Sequence, residues 1–134
     1  MQAVAFYLKI MRQIQHVVKA TINPGESNTS ENFKLPIGFT TGVAVYTNGI
    51  EKSVNVMTTI EMKDDNSIAI VPSAHIDNWR QMSAGEYEKS FKPLNFDTGN
   101  KDYSLIFALD QPLTGAVPLK FHVVFLYNNN IKIE

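Results

Sequence analysis

The chain has 134 residues, 44% hydrophobic and 19% charged, with 12 Lys and Arg against 13 Asp and Glu for a net charge of −1. That apolar content excludes a disordered tail, the length holds one core and no second domain, and the balanced charge argues against a binder held mainly by phosphate contacts. Cysteine is absent, which excludes thiolate catalysis, zinc–thiolate sites and disulfide staples.

Taken in chain order, Met1 to Leu8 is apolar but soon interrupted by Lys9 and Arg12. No basic stretch precedes it and no small-residue cleavage site follows, so Sec export is not expected. No run of some twenty apolar residues occurs, so no bilayer-spanning helix is expected. Residues 1–22 fit two periods. Tyr7, Ile10, Met11, Ile14, Val17 and Val18 make a helical stripe, whereas Phe6, Leu8, Ile10, Ile14, Val18, Ala20 and Ile22 are all even-numbered, as on a strand. One strand of that whole length would exceed about 50 Å. The expectation is an N-terminal arm or short helix over 1–12, ahead of a single β-sandwich domain over 13–134. A strand from about Ile14 to Ile22 opens that domain. Asn23-Pro24-Gly25 closes the strand, and Glu26 to Asn32 reads as a polar loop.

Thr40 to Thr47 predicts a strand, closed by the Asn48-Gly49 turn. Val54 to Met62 alternates and predicts another. The polar turn Lys63 to Ser67 then joins it to Ile68–Val71 as a hairpin that Pro72 stops. Ser73 to Thr98 is the longest stretch without clean alternation. It carries Trp79, Tyr87, Phe91 and Phe96, and Asp77 to Met82 suits a short helix ended by Ser83-Ala-Gly85. Such an excursion is a lid over one sandwich end or a contact surface. Phe91 and Phe96 are assigned to the core; Trp79 and Tyr87 stay open between core and surface. Tyr103 to Leu109 is the next strand, ended by Asp110-Gln-Pro112. The clearest strand is Val117 to Tyr127, where every odd position is apolar. Val124 and Leu126 on its even side predict cover on both faces at the far end, and Asn128 to Asn130 is expected to end it. Turn signals every ten to fifteen residues predict an all-β fold: an antiparallel β-sandwich of about eight strands, with a single jelly roll favoured. Periodicity alone leaves the strand order open between a jelly roll and other Greek keys.

Candidate chemistry is sparse. Asp97-Thr98-Gly99 matches the motif of retropepsin-like aspartic proteases, in which two such carboxylates share a proton. Its late position and the following Asn100-Lys101-Asp102 do not fit that family, and these residue types favour a turn. His16, His75 and His122 show no paired metal spacing; His75-Ile76-Asp77 offers an imidazole oriented by a carboxylate. Asp64-Asp65-Asn66 and the set Asp97, Asn100 and Asp102 are oxygen-rich loops with the composition of calcium loops but not their spacing. No phosphate-cradling Gly motif and no cofactor motif is present. The expectation is a protein that is not an enzyme and carries no catalytic, cofactor or metal residues.

The strand pattern, the apolar arm ahead of Asn23-Pro24-Gly25 and the closing strand Val117–Tyr127 together resemble the small jelly-roll capsid or penton-type (vertex) proteins of tailless icosahedral phages. The resemblance covers roughly residues 14–127 and involves no diagnostic motif. It implies a self-assembling virion component, built in the host cytoplasm, that forms a homo-oligomer such as a pentamer and contacts neighbouring capsid proteins. It also implies that an N-terminal segment reaches neighbouring subunits, here Phe6, Tyr7, Leu8, Ile10 and Met11. Trp79 and Tyr87 complete the expected interface. A contiguous apolar arm of this kind favours association on physical grounds as well. The alternative is a carbohydrate- or other ligand-binding sandwich using Trp79 and Tyr87 as a stacking strip, and a retropepsin-like aspartic protease using Asp97 is a distant third.

Overall fold

The alternating segments form eight strands among the residues that the computed structural model describes, which are 11–35, 38–79, 91–98 and 101–130. The strands are β1 (Met11–Ile22), β2 (Asn28–Lys34), β3 (Phe39–Thr47), β4 (Thr58–Lys63), β5 (Ala69–His75), β6 (Lys92–Asp97), β7 (Asp102–Leu109) and β8 (Leu119–Asn130). One α-helical turn, α1 (Ile50–Ser53), follows β3, and a 3-10 turn (Ile76–Asn78) follows β5. Two four-stranded antiparallel sheets result, ordered β1-β8-β3-β6 and β2-β7-β4-β5. First pairs with last, second with seventh, third with sixth and fourth with fifth. The chain is thus one long hairpin wrapped across two sheets, which is the jelly-roll arrangement.

Period-two patterning puts Val18, Ala20 and Ile22 of β1, Val43 and Val45 of β3, Ile60 and Met62 of β4, and Leu105 and Phe107 of β7 into one core with Leu119, Phe121, Val123 and Phe125 of β8. Aromatic rings hold the two layers together: Phe107 and Phe121 have centroids 4.5 Å apart, and Phe33 stacks on Phe125 at 5.2 Å. A second, smaller cluster lies on the opposite face of the β1-β8-β3-β6 sheet, where Val124 and Leu126 pack with Ala44 and Phe91. The far end of β8 is therefore covered on both sides, as its even positions predict.

Several boundaries differ from expectation, each for a tertiary reason. β1 starts at Met11, earlier than the expected Ile14, because its pairing with β8 runs unbroken from Met11 opposite Asn130 to Ile22 opposite Leu119. The same pairing carries β8 through Asn128 to Asn130, so the asparagines do not end it; ladder hydrogen bonds outweigh weak strand propensity. Val117 lies before β8 and is 52% exposed. Glu26 to Asn32 is only partly loop, since Asn28 onward is the edge strand β2, whose polar residues obscured its alternation. Val54 to Met57 is not strand: Gly49, at φ 85°, starts α1, and Asn55, at φ 55°, turns the chain before β4. Pro72 does not stop β5. It sits in an edge strand at a register shift, where its missing N–H breaks no ladder bond. Within Ser73 to Thr98, β6 pairs with β3, and Phe91 is buried, as assigned. The 3-10 turn takes only Asp77 and Asn78 of the expected helix Asp77–Met82; residues 80–90, with Tyr87, lie outside the described residues, as do Phe6, Tyr7, Leu8 and Ile10.

Candidate functional site

The outward face of the β1-β8-β3-β6 sheet carries a cross-strand row built by register. Lys19 of β1 lies opposite His122 of β8, and His122 lies opposite Tyr46 of β3. Opposed residues share a face, so the three side chains point the same way. The next row places Thr21 opposite Lys120, beside Asn48 at the end of β3. Tyr46, Thr47, Asn48, Lys120 and His122 line a groove of about 240 Å³. Asn48 fixes its rim: its amide donates to the Pro118 carbonyl (2.9 Å), while its Oδ1 accepts from the Lys120 N–H (3.3 Å). Beneath, the Thr47 hydroxyl lies 2.8 and 2.9 Å from the two carboxylate oxygens of Glu51, a buried acid on α1. Tyr46 is 40% exposed.

The opposite sheet ends in a broader cleft of about 510 Å³ lined by Asn32, Asp64, Asp65, Ser67, Asp102, Tyr103 and Ser104. Two of its three aspartates already serve the backbone or a neighbouring lysine. Asp64 Oδ1 accepts from the N–H groups of Asn66 and Ile68, both at 2.9 Å, which sets the hairpin turn. Asp102 lies 3.7 Å from the Lys34 amine, both well exposed, an ion pair of small energetic weight. Burial holds the Tyr103 phenol above its ordinary pKa of 10.0, and the charges of Asp65 and Asp64 add to that shift.

The remaining sequence candidates are accounted for locally. His75 Nδ1 accepts from the Asp77 N–H at 3.1 Å and so caps the 3-10 turn, with Asp77 Oδ2 at 3.5 Å. A bond accepted there requires Nδ1 to be unprotonated. Asp97 belongs to β6, opposite Phe39, rather than to a turn. Thr98 is buried, and both its N–H (2.9 Å) and its hydroxyl (3.0 Å) donate to the Gly38 carbonyl. His16 lies on the inward face of β1 opposite Phe125, and partial burial lowers its pKa below 6.5. Among the described residues, no three His, Asp or Glu side chains cluster to hold a metal ion. No described helix is long and apolar enough to cross a membrane.

Trp79 is the clear departure from the expected interface. It is 0% exposed and sits in the main core, with its carbonyl accepting from the Val45 N–H at 2.9 Å. A residue so enclosed offers no surface to a partner or a sugar within this conformation. Its indole N–H has no partner among the described residues. Tyr46, Asn48 and His122 were not singled out as a group in the sequence. The parity of His122 on β8 marks it as outward, but the adjacency of β3 and β8 is not a local signal.

No family model matches the chain, and no curated protein matches it in sequence. Among solved structures, the Yersinia pseudotuberculosis-derived mitogen is similar, with a TM-score of 0.45 and 10% identity over 92% of each chain. The capsid structure of Helicobacter pylori bacteriophage KHP30 aligns with a TM-score of 0.40 and 10% identity, over 92% of this chain and 98% of that one. The periplasmic inhibitor of g-type lysozyme from Salmonella Typhimurium aligns with a TM-score of 0.36 and 12% identity, over 90% and 88%. At these TM-scores and identities the likeness assigns no role to any residue.

Proposed function

We propose that this protein is a non-catalytic assembly component of the small viral-shell type, acting through self-association and contacts with neighbouring shell subunits. One observation carries this reading. The space between the sheets is filled by side chains, with Trp79, Phe107, Phe121, Phe125, Ile60 and Leu119 all fully buried, so what the described fold offers a partner is its outer surface. The clefts described above open to the surface, whereas barrels that enclose a ligand keep an internal cavity. Sedimentation velocity and negative-stain imaging of the purified full chain test the proposal. Discrete closed oligomers are the expected result; a monomer from nanomolar to high micromolar concentration overturns it.

A second reading is favoured by the Tyr46 groove. An exposed aromatic ring beside Asn48, Lys120 and His122 combines a stacking surface with hydrogen-bond donors, the combination that sugar recognition uses. It replaces the strip of Trp79 and Tyr87 expected for a lectin-like module, since Trp79 is buried. Titrating a glycan panel while following the Tyr46 ring resonances, with Tyr46→Ala as control, decides it. Unmoved resonances across the panel end this reading.

A further inference from the structure

Each sheet has two edges, and the four edge strands are unequally protected. An open edge exposes a row of unpaired N–H and C=O groups, which natural sandwiches block with proline, bulges, short strands or inward-pointing charge. β5 carries Pro72 and two register shifts. β6 is six residues long, contains Pro93 and pairs through a register shift. β2 places Glu31 opposite Leu105 of the core, a charge on the inward face, and ends on Lys34. Over residues 14–22, whose side chains are described, β1 has none of these devices; Arg12, at its start, falls on the inward parity. The strand is twelve residues long and regular throughout, and between positions 13 and 22 its one charged residue is the outward Lys19.

We propose that the outer edge of β1, which pairs with no other described strand, is the site at which a second copy of this chain adds, antiparallel, about a two-fold axis at Val17, so that two four-stranded sheets become one. This rests on the reading of the protein as self-assembling and locates the contact. Parity limits the register: directly opposed residues share a face, so odd positions must oppose odd positions. Centring on Val17 uses almost the whole strand, with residues 12–22 opposite residues 22–12. It sets Val17, which is β-branched and 44% exposed, against its own copy. Gln15 then opposes Lys19, so the two lysines do not face each other, and inward Ile14 opposes Ala20 while His16 opposes Val18. An axis at Lys19 would oppose like charges, and an axis at His16 would oppose two imidazoles. The isologous contact closes on itself, leaving the blocked edges β2, β5 and β6 outermost.

The absence of cysteine makes the geometry directly testable. In the full chain, Val17→Cys is expected to form a covalent dimer rapidly under mild oxidation, because opposed Cβ atoms lie within disulfide reach. Thr21→Cys is expected not to, since the two copies of residue 21 would lie about 26 Å apart along the strands. Val17→Lys is expected to weaken self-association at least about tenfold with unchanged far-ultraviolet circular dichroism, whereas Val17→Thr leaves it within about twofold. In the wild-type protein, β1 amides are expected to exchange more slowly as concentration rises, while those of β2, β5 and β6 do not change. An oligomer whose β1 exchange is independent of concentration overturns this inference and leaves the self-assembly reading standing. Protection of β1 without the Val17→Cys cross-link means that another strand occupies the edge and overturns it too. A monomer at every concentration overturns both. If Val17→Lys fails to fold, the cross-link and the wild-type exchange decide.

Discussion

At the scale of single residues, the tightest constraint is a glycine inside the β3 end of the sandwich. A Cβ on Gly38 would run into the carbonyl of Asn128, and the Gly38 carbonyl itself receives both Thr98 donors. Backbone cannot retreat as a flexible side chain can, so Gly38→Ala is expected to cost about 1–3 kcal/mol, as overpacking does. Urea denaturation reads this as a lowered midpoint at constant slope. Thr58 points the other way. Its hydroxyl is fully buried and has no hydrogen-bond partner among the described residues. Replacing it with the near-isosteric Val removes an uncompensated polar group, so Thr58→Val is expected to stabilise by about 1 kcal/mol in the same assay. A loss of stability would show that the hydroxyl has a partner. Neither site is visible in the sequence, since both depend on what a distant strand brings alongside.

Among elements, β8 carries the most, because it is paired along both edges and filled on both faces at its far end. Phe121 contacts the facing sheet through Phe107, so Phe121→Ala is expected to cost about 3–5 kcal/mol, much of the stability of an ordinary domain. A far smaller loss in calorimetry would mean that the sheets close over the cavity. This strand was also the most legible in the sequence, because strong alternation over buried positions is a local signal. β3 and β7 were legible for the same reason. β2 was not: Asn28 to Asn32 lies on an edge with one face in water, and its composition is that of a loop. The segment Val54 to Met57 erred in the opposite sense, since Val54, Val56 and Thr58 alternate by chance across a turn that Asn55 makes in the left-handed region. The interface aromatics failed on a related point. Trp79 sits after a 3-10 turn that tucks it under β3, and composition cannot say which side of a loop an indole takes. The groove at Tyr46 needed β3 beside β8, a neighbour relation that periodicity never encodes.

For the molecule as a whole, pH dependence of stability links the core to β1. His16 is on the inward face of β1 at the rim of the core, and burial disfavours its imidazolium, so its pKa in the folded state is below the 6.5 of an unfolded chain. The sign follows from linkage. Between the two pKa values the unfolded chain binds more protons, so stability rises with pH there. Above about 6.5 both states hold a neutral imidazole and the contribution is level; as pH falls through 6.5 stability is lost, and the loss stops once pH is below the folded-state value, where both are charged. Urea denaturation of wild type and His16→Gln at about pH 7.5 and 5.5 isolates this contribution, because carboxylates and the other histidines are common to both proteins and cancel in the difference. The wild type is expected to lose more stability between the two conditions than the variant. Equal losses would mean that solvent reaches the His16 ring freely, and that β1 there lies looser on the core than its unbroken pairing with β8 implies.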